Sequence, residues 1–257
     1  MTLLDATMTE TITLTCNARK KQKPMNKDSK LIKYWNQRYN LFSRFDDGIM
    51  MDDESWYSVT PENIAQHIAN RFRQSLGDGH RVIVDGFCGV GGNLIQFALA
   101  CPYYQIVACD INPDKLKMAK HNAKIYGVEH QCEFVLGDFM KLMQCLESDR
   151  IDAVFFSPPW GGINYQDCGK YSMSFMTPNG YDVVHTCRKH LTNNIAFLLP
   201  RNIDLQEVKK TLLSERYQTF ECEENIVGTK TKTITMYFGD LLNEVVETDS
   251  SEDKEIT

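Results

Sequence analysis

Five short apolar runs, most of them separated by a helical stripe, constrain this chain more than any other feature. They are Val82-Ile83-Val84, Gln105 to Cys109, Cys132 to Leu136, Ile151 to Phe156 and Asn194 to Leu199. Runs this short, with apolar residues at successive positions, read as strands buried on both faces. A helix follows Gly92. Another starts at the Asn112-Pro113 cap, keeps Leu116, Ala119, Ala123 and Tyr126 on one face, and stops at Gly127. A third runs from Phe139 to Leu146, and a fourth from Asp204 to Leu213. Only the stretch after the fourth run breaks the pattern, with a Gly-, Ser- and Met-containing insertion. Strands alternating with helices imply a parallel sheet covered on both faces. Two last strands, near Tyr217 to Cys222 and Lys232 to Phe238, are joined through Gly228 and predict an antiparallel hairpin at the sheet edge. The expected fold is α/β with seven strands.

Ahead of the first strand, Ser58-Val59-Thr60-Pro61-Glu62 reads as a helix start. Thr60 is the expected N-cap, with Pro61 at the first helical position. The stripe Ile64, Ile68, Phe72 carries that helix to about Gly77. Upstream, Tyr34, Trp35, Tyr39, Leu41, Phe42 and Phe45 crowd a segment that also holds Arg38 and Arg44. It reads as one or two short helices and a loop through Asp46-Asp47-Gly48. Such a segment either packs on the neighbouring domain or offers a nucleic-acid surface.

The net charge of −6 is concentrated at the end of the chain: from Glu244 to Thr257, six acidic residues against one lysine give −5, leaving −1 elsewhere. That stretch reads as a disordered acidic tail. Arg19, Lys20, Lys21, Lys23, Lys27, Lys30 and Lys33 give the start the opposite bias, suited to phosphate contact, a nuclear address or plain solvation. The expected division is a disordered basic arm (1–30), a helical N-terminal lobe (31–76), an α/β core (77–241) and an acidic disordered tail (242–257). The nine cysteines form no CxxC pair, and Cys101, Cys109 and Cys132 sit in apolar runs. A reduced intracellular compartment suits them better than disulfides or zinc, so no metal site is expected. No run of about 18 apolar residues suggests a membrane span, and no secretory signal is read at the start.

The stretch Asp85-Gly86-Phe87-Cys88-Gly89-Val90-Gly91-Gly92-Asn93 closes the first strand and opens a helix. Its glycines permit a tight turn and close approach to a ligand. The dinucleotide fingerprint fails, because Leu94 occupies its third glycine position when Gly89 and Gly91 are the first two. A Walker A loop fails as well, for want of Gly-Lys-Ser/Thr. Asp85 suits an ammonium group, where a pyrophosphate would want N–H donors. Asp110 ends the second strand, where a carboxylate takes both hydroxyls of a ribose. Asp138, after the third strand, is placed to accept from an adenine amine. Each alone reads more often as a helix cap. Three strand-end carboxylates in register point to an amino acid joined to adenosine, which is S-adenosylmethionine.

The fourth strand stops at Ser157-Pro158-Pro159-Trp160-Gly161-Gly162. Proline has no N–H, so the last carbonyls are left without ladder partners. An exocyclic amine of guanine or adenine can donate to them, and Trp160 offers a face on which a base can stack. The plainer reading is a proline-capped strand end with one anchoring Trp. With a cofactor over the first three strands, the amine nitrogen would attack the sulfonium methyl in line, with proximity and alignment supplying most of the acceleration. No general base is required, since the nitrogen can lose its proton afterwards. His67, His121 and His130 read as surface residues.

These stretches resemble the trimethylguanosine synthase family, which adds two methyls to N2 of the 7-methylguanosine cap of small nuclear and nucleolar RNAs. The resemblance is carried by Lys33-Tyr34-Trp35-Asn36-Gln37-Arg38-Tyr39, by Leu41-Phe42-Ser43-Arg44-Phe45-Asp46-Asp47-Gly48-Ile49, and by Ser58 to Glu62. It continues through Phe87 to Asn93, Ser157 to Gly162, Pro200-Arg201-Asn202, Lys232-Thr233-Ile234-Thr235 and Tyr237-Phe238-Gly239-Asp240-Leu241. The first two and the last are not general methyltransferase motifs. The resemblance implies a class I S-adenosylmethionine-dependent methyltransferase, with a Rossmann-like seven-stranded sheet and a small helical N-terminal lobe over the site. It assigns catalysis to Ser157, Pro158 and Trp160. Cofactor binding falls to Ser58, Thr60, Asp85, Cys88, Gly89, Gly91, Asn93, Asp110, Asp138 and Ser157. Substrate binding falls to Trp160, Lys33, Arg201, Phe42 and Asn202, with Lys33 and Arg201 on the cap phosphates. The implied partners are 7-methylguanosine-capped RNA and small ribonucleoprotein proteins. A monomer is expected, without a membrane, working in the nucleus (nucleolus or Cajal body) and also in the cytoplasm.

Two departures stand out. Gly86 replaces a common Ala, which reads as harmless, and Ile163-Asn164-Tyr165 replaces Pro-Asp-Tyr. The long N-terminal region of vertebrate members is absent, as expected of a compact form or a catalytic segment. Rival readings are an N2-guanine or N6-adenine methyltransferase acting on internal RNA positions, a protein-glutamine methyltransferase, a catalytically silent cap-binding module, and a reader recruited by its tails. Ser157, where these other methyltransferases carry Asp or Asn, tilts against them.

Overall fold

The computed structural model describes residues 32–146, 150–162, 169–214 and 219–243. The expected basic arm, the tail from residue 244 and the Ile163-Asn164-Tyr165 departure lie outside them. The chain begins with α1 (Ile32–Trp35), α2 (Arg38–Leu41), a 3-10 turn at Phe45–Asp47, α3 (Ser55–Ser58) and α4 (Glu62–Leu76). Then β1 (Arg81–Asp85), α5 (Gly92–Ala100), β2 (Tyr104–Asp110), α6 (Pro113–Tyr126), β3 (Cys132–Leu136) and α7 (Phe139–Leu142) alternate. They are followed by β4 (Ala153–Phe156), α8 (Gly180–His190), β5 (Ile195–Pro200), α9 (Leu205–Ser214), β6 (Glu221–Val227) and β7 (Lys230–Tyr237).

The strands form one sheet in the order β3-β2-β1-β4-β5-β7-β6. The first five pair in parallel, and β7 runs antiparallel to both β5 and β6. Strand order reverses between β1 and β4, and ligands of open α/β sheets bind at the carboxyl ends beside such a switch. β4 and β5 are buried at every residue, which is why they read as unbroken apolar runs. Ile83, Ala108, Phe155 and Leu198 face one core with α4, α5 and α6. Val84, Cys109, Phe156 and Phe197 face a second core, filled by Val184 and Cys187 of α8 and Val208 and Leu212 of α9.

The aromatic segment before α4 is mostly packing. Trp35, Phe45 and Trp56 meet with ring centroids 5.5–5.6 Å apart. Leu41, Phe42, Phe45 and Ile49 are buried in the same core as Ile83. Asn122 on α6 fastens this segment down. It is fully buried, donates to the carbonyls of Met50 and Val90, and accepts from Met50 N. A buried amide with its donors and acceptor satisfied is strongly held in place.

Four local readings need correction. The insertion before β5 contains α8, whose Asn179 side chain caps Tyr181 N at 2.9 Å. α7 ends at Leu142 rather than Leu146. Of the outer hairpin strand expected near Tyr217 to Cys222, residues 217 and 218 lie outside the described ones; the strand observed is Glu221–Val227, reaching the turn at Gly228, because an edge strand tolerates the polar Glu221, Glu223, Glu224 and Asn225. Thr60 makes no capping bond, since α4 starts after Pro61. Glu62 instead binds Ser43 and Tyr126.

Candidate active site

At the carboxyl ends of β1 to β4 the chain encloses a cavity of about 570 Å³, within the roughly 300–1,000 Å³ of small-molecule sites. Its floor is the turn after β1. There Gly89 (φ +52°) and Gly91 (φ +96°) take left-handed conformations that a side chain would strain. A methyl group on Gly91 would lie 3.3–3.4 Å from Ala119 of α6, so this glycine also lets two helices approach. Gly89 N donates to Asp110 Oδ2 at 2.8 Å, fastening the turn to the end of β2.

The carboxylates are not level, contrary to the expected register. Asp85 pairs with Ala108 and Asp110 with Leu136, so Asp110 stands two residues beyond Asp85, and Asp138 two beyond Asp110. Asp110 holds one amide on each oxygen, Gly89 N and Asn112 N, both at 2.8 Å, which leaves each oxygen a further lone pair. Asp138 lines the wall and also caps α7, its Oδ1 accepting from Met140 N at 3.0 Å. Asp85 is only 1% exposed, and among the described residues neither oxygen accepts a hydrogen bond of full geometry or meets a cation; the amides of Phe87 and Leu94 point at it more loosely. Burial pushes its carboxyl up to about 8; the amides of Phe87 and Leu94 oppose the shift and the charge of Asp110 adds to it. Burial likewise raises the Cys88 thiol, which stays protonated at neutral pH.

Ser157, Pro158, Pro159 and Trp160 form the opposite wall. Among the described residues no donor reaches the carbonyls of Ser157 or Pro158. Trp160 is held through its own carbonyl, which accepts from Tyr171 OH at 3.0 Å. Of the residues expected at the site, Ser58, Thr60, Cys88, Gly89, Asn93, Asp110, Asp138, Ser157, Pro158 and Trp160 line the cavity. Asp85 and Gly91 lie behind that lining. Phe42 is a core residue, 1% exposed. Asn202 accepts from Tyr171 N through its backbone, and Lys33 and Arg201 are exposed outside the cavity. The sequence reading missed Tyr57, Ile111, Phe139, Pro178 and the pair Lys115–Glu54, whose Nζ and Oε2 are 2.7 Å apart. Lys115 was readable, one turn along a helix whose cap is Asn112; Thr177 and Pro178 carry no local signal.

A sheet in this order, turned back only at β7, with an acid-walled cavity across the ends of β1 to β4, defines a class I S-adenosylmethionine-dependent methyltransferase. Solved structures share the fold. A human methyltransferase 10 domain-containing protein aligns with TM-score 0.59 at 12% identity, over 81% of this chain and 96% of that one. A putative methyltransferase from Porphyromonas gingivalis gives 0.58 at 14%, over 80% and 48%. The model of the RNA cap guanine-N2 methyltransferases matches residues 80–241. Trimethylguanosine synthase of Schizosaccharomyces pombe is 43% identical over 181 residues, which are 69% of this chain and 74% of that protein. The Saccharomyces cerevisiae trimethylguanosine synthase is 38% identical over 192 residues, and this chain covers 73% of its own length and 60% of the relative's. The chain belongs to the RNA cap guanine-N2 methyltransferase family.

The cavity fits the cofactor of that family. Asp85 and the amide Nδ2 of Asn93 are buried polar groups without a hydrogen bond of full geometry among the described residues. They offer an acceptor for an ammonium and a donor for a carboxylate, the two ends of an amino acid. Asp110 and Asp138 bring further carboxylate oxygens to the cavity, beside apolar Ile111 and Phe139, and could take the hydroxyls and amine of a nucleoside.

Proposed function

We propose that the enzyme methylates N2 of 7-methylguanosine twice on capped small nuclear and nucleolar RNAs, giving 2,2,7-trimethylguanosine. The observation that carries this reading is Trp160 beside the open carbonyls of Ser157 and Pro158 on a wall of the cofactor cavity. S-adenosylmethionine supplies an electrophilic methyl on a sulfonium. Trp160 holds the base by stacking, and the positive charge of 7-methylguanine strengthens the contact by roughly 0.5–2 kcal/mol. The two carbonyls accept from the exocyclic amine and hold its nitrogen toward the cavity. Orientation of this kind lowers the barrier without a residue that takes the proton. Tyr171 keeps Trp160 in place from behind.

The exposed cations complete the reading. Lys33 stacks over Tyr34, which meets Tyr57 at 6.4 Å, and Tyr57 lines the cavity. Arg201 adjoins Asn202, whose carbonyl accepts from Tyr171 N. Both therefore flank the site, where they would take the cap phosphates. Phe42 and Asn202 act as supports, through the lobe's core and through Tyr171. The class of RNA places this work in the nucleus (nucleolus or Cajal body), where the enzyme would meet small ribonucleoprotein proteins.

Methyl transfer to 7-methylguanosine-capped RNA and to unmethylated guanosine-capped RNA tests this, with product nucleosides separated by chromatography. Dimethyl and trimethyl products are expected from the first substrate alone. Trp160→Ala should lower kcat/KM about 5- to 150-fold, from a stacking contribution of roughly 1–3 kcal/mol, while cofactor affinity stays within about twofold. Equal activity on both caps, or normal turnover by Trp160→Ala, would overturn the reading.

A further inference from the structure

Beside the cap site a large ring faces solvent with no part in the proposal above. Phe175 is 60% exposed, at the end of the 3-10 turn Met173–Phe175. That turn is firmly built. Ser172 Oγ accepts from Ser174 N at 3.1 Å and donates to Glu207 on α9 at 2.9 Å. Met173 and Met176 are buried on either side of the displayed ring. A phenyl group kept in water on an anchored segment forgoes burial that its neighbours obtain.

Tyr171 connects this ring to the cap site. It is 2% exposed and meets Phe175 edge-on, with centroids 5.8 Å apart and planes at 89°. Its hydroxyl donates to Trp160 O at 3.0 Å, and its amide donates to Asn202 O at 2.8 Å, next to Arg201. Tyr171 also bridges to Ile203. Thr177, two residues after Phe175, lines the cavity, so Phe175 stands within about 7.6 Å of its wall along the backbone. One buried tyrosine thus sets the relative positions of Trp160, Arg201 and Phe175. Of the nearby carboxylates, Asp204 pairs with Lys170 at 3.0 Å, and Glu207 accepts from Ser172 through Oε1 while its Oε2 is buried away from solvent.

An exposed ring tied through one buried tyrosine both to the wall that carries Trp160 and to the strand end that carries the exposed Arg201 suits a single strand of nucleic acid. We propose that Phe175 stacks on the base of the first nucleotide after the cap, with Arg201 on the phosphates between the two bases. The proposal rests on the cap reading above and adds a second subsite to it. Stacking is indifferent to base identity, since every base has a π-face, so the subsite rewards the presence of a nucleotide rather than its sequence.

The test compares 7-methyl-GTP with a short 7-methylguanosine-capped RNA, as the ratio of their kcat/KM values. Wild type should prefer the capped RNA. Phe175→Ala should cut the ratio about 5- to 10-fold, the lower end for one stacked base, through KM rather than kcat. Phe175→Trp should keep the wild-type ratio, and Phe175→Leu, which has bulk without a π-face, should behave as Ala does. An unchanged ratio in Phe175→Ala, or equal losses on both substrates, would overturn the subsite. Absence of any N2-methylated product from wild type on either substrate would refute the cap reading itself, and the subsite with it.

Discussion

Replacing Asp85 with asparagine preserves shape and removes a proton that the fold controls. In the unfolded chain this carboxyl releases its proton near 3.8; in the folded, cofactor-free protein it holds it up to about 8. Between those values the folded state binds one proton more than the unfolded state, so Asp85 makes stability fall as pH rises, by roughly 1.4 kcal/mol per unit. The contribution is fully present below about pH 4 and is lost as pH climbs toward 8. Asparagine has no proton to lose. The stability of Asp85→Asn relative to wild type should therefore grow by about 3 kcal/mol from pH 5 to pH 7, then flatten above about pH 8. Urea unfolding at intervals from pH 5 to pH 9, without cofactor, reads both the slope and the plateau. Saturating S-adenosylmethionine should flatten the wild-type profile, because an ammonium group supplies the partner that the buried carboxylate lacks. A constant offset between the two proteins across the whole range would refute the reasoning, since Asp85 would then be charged and stabilised already at pH 5.

Two glycines give further predictions. A methyl group on Gly86 would lie 2.7 Å from two ring atoms of Phe139, so Gly86→Ala should cost about 1–3 kcal/mol by overpacking. Adding Phe139→Leu should recover part of that cost, whereas strict additivity in a double-mutant cycle would sink the explanation. Phe139 fills the space that an alanine side chain would need. At Gly239 (φ +65°), an added methyl group would overlap Asn194 Oδ1 and lie 2.6 Å from the Asn193 carbonyl. Gly239→Ala should lower the urea midpoint by an amount worth about 2 kcal/mol or more while leaving cofactor affinity unchanged, and a wild-type midpoint would contradict it.

How much the sequence revealed followed from how local each cause was. The first five strands and α6 were legible because burial on both faces writes unbroken apolar runs, and because Asn112 and Gly127 punctuate their helix in the usual way. α8 was missed because Pro178-Asn179-Gly180 looks like a loop. The Asn179 cap, Asp182 in the first turn and Arg188, Lys189 and His190 in the last were nonetheless present. β6 was misplaced because an edge strand is shaped by one neighbour and by solvent, so its polar residues hide it. At the site, Asp110, Asp138, Ser157 and Trp160 were legible because strand ends announce themselves. Glu54, Thr177 and Pro178 reach the cavity only through the path of the chain in space, which no periodicity records. Phe42 and Tyr57 are aromatic members of one segment, yet the first is core and the second lines the cavity.

The two-residue step between Asp85 and Asp110 bears on how such a chain can change length. Side chains alternate across a strand, so an even step keeps both carboxylates on the face shared by Ile83 and Ala108. One residue gained or lost within β2 would turn Asp110 toward the opposite face of the sheet. Two would move it a whole pleat, about 6.6 Å, and leave its face intact. For the carboxylate at the end of β2, insertions and deletions are therefore compatible with the site only in pairs, and its depth can drift through descent in whole pleats, never in halves.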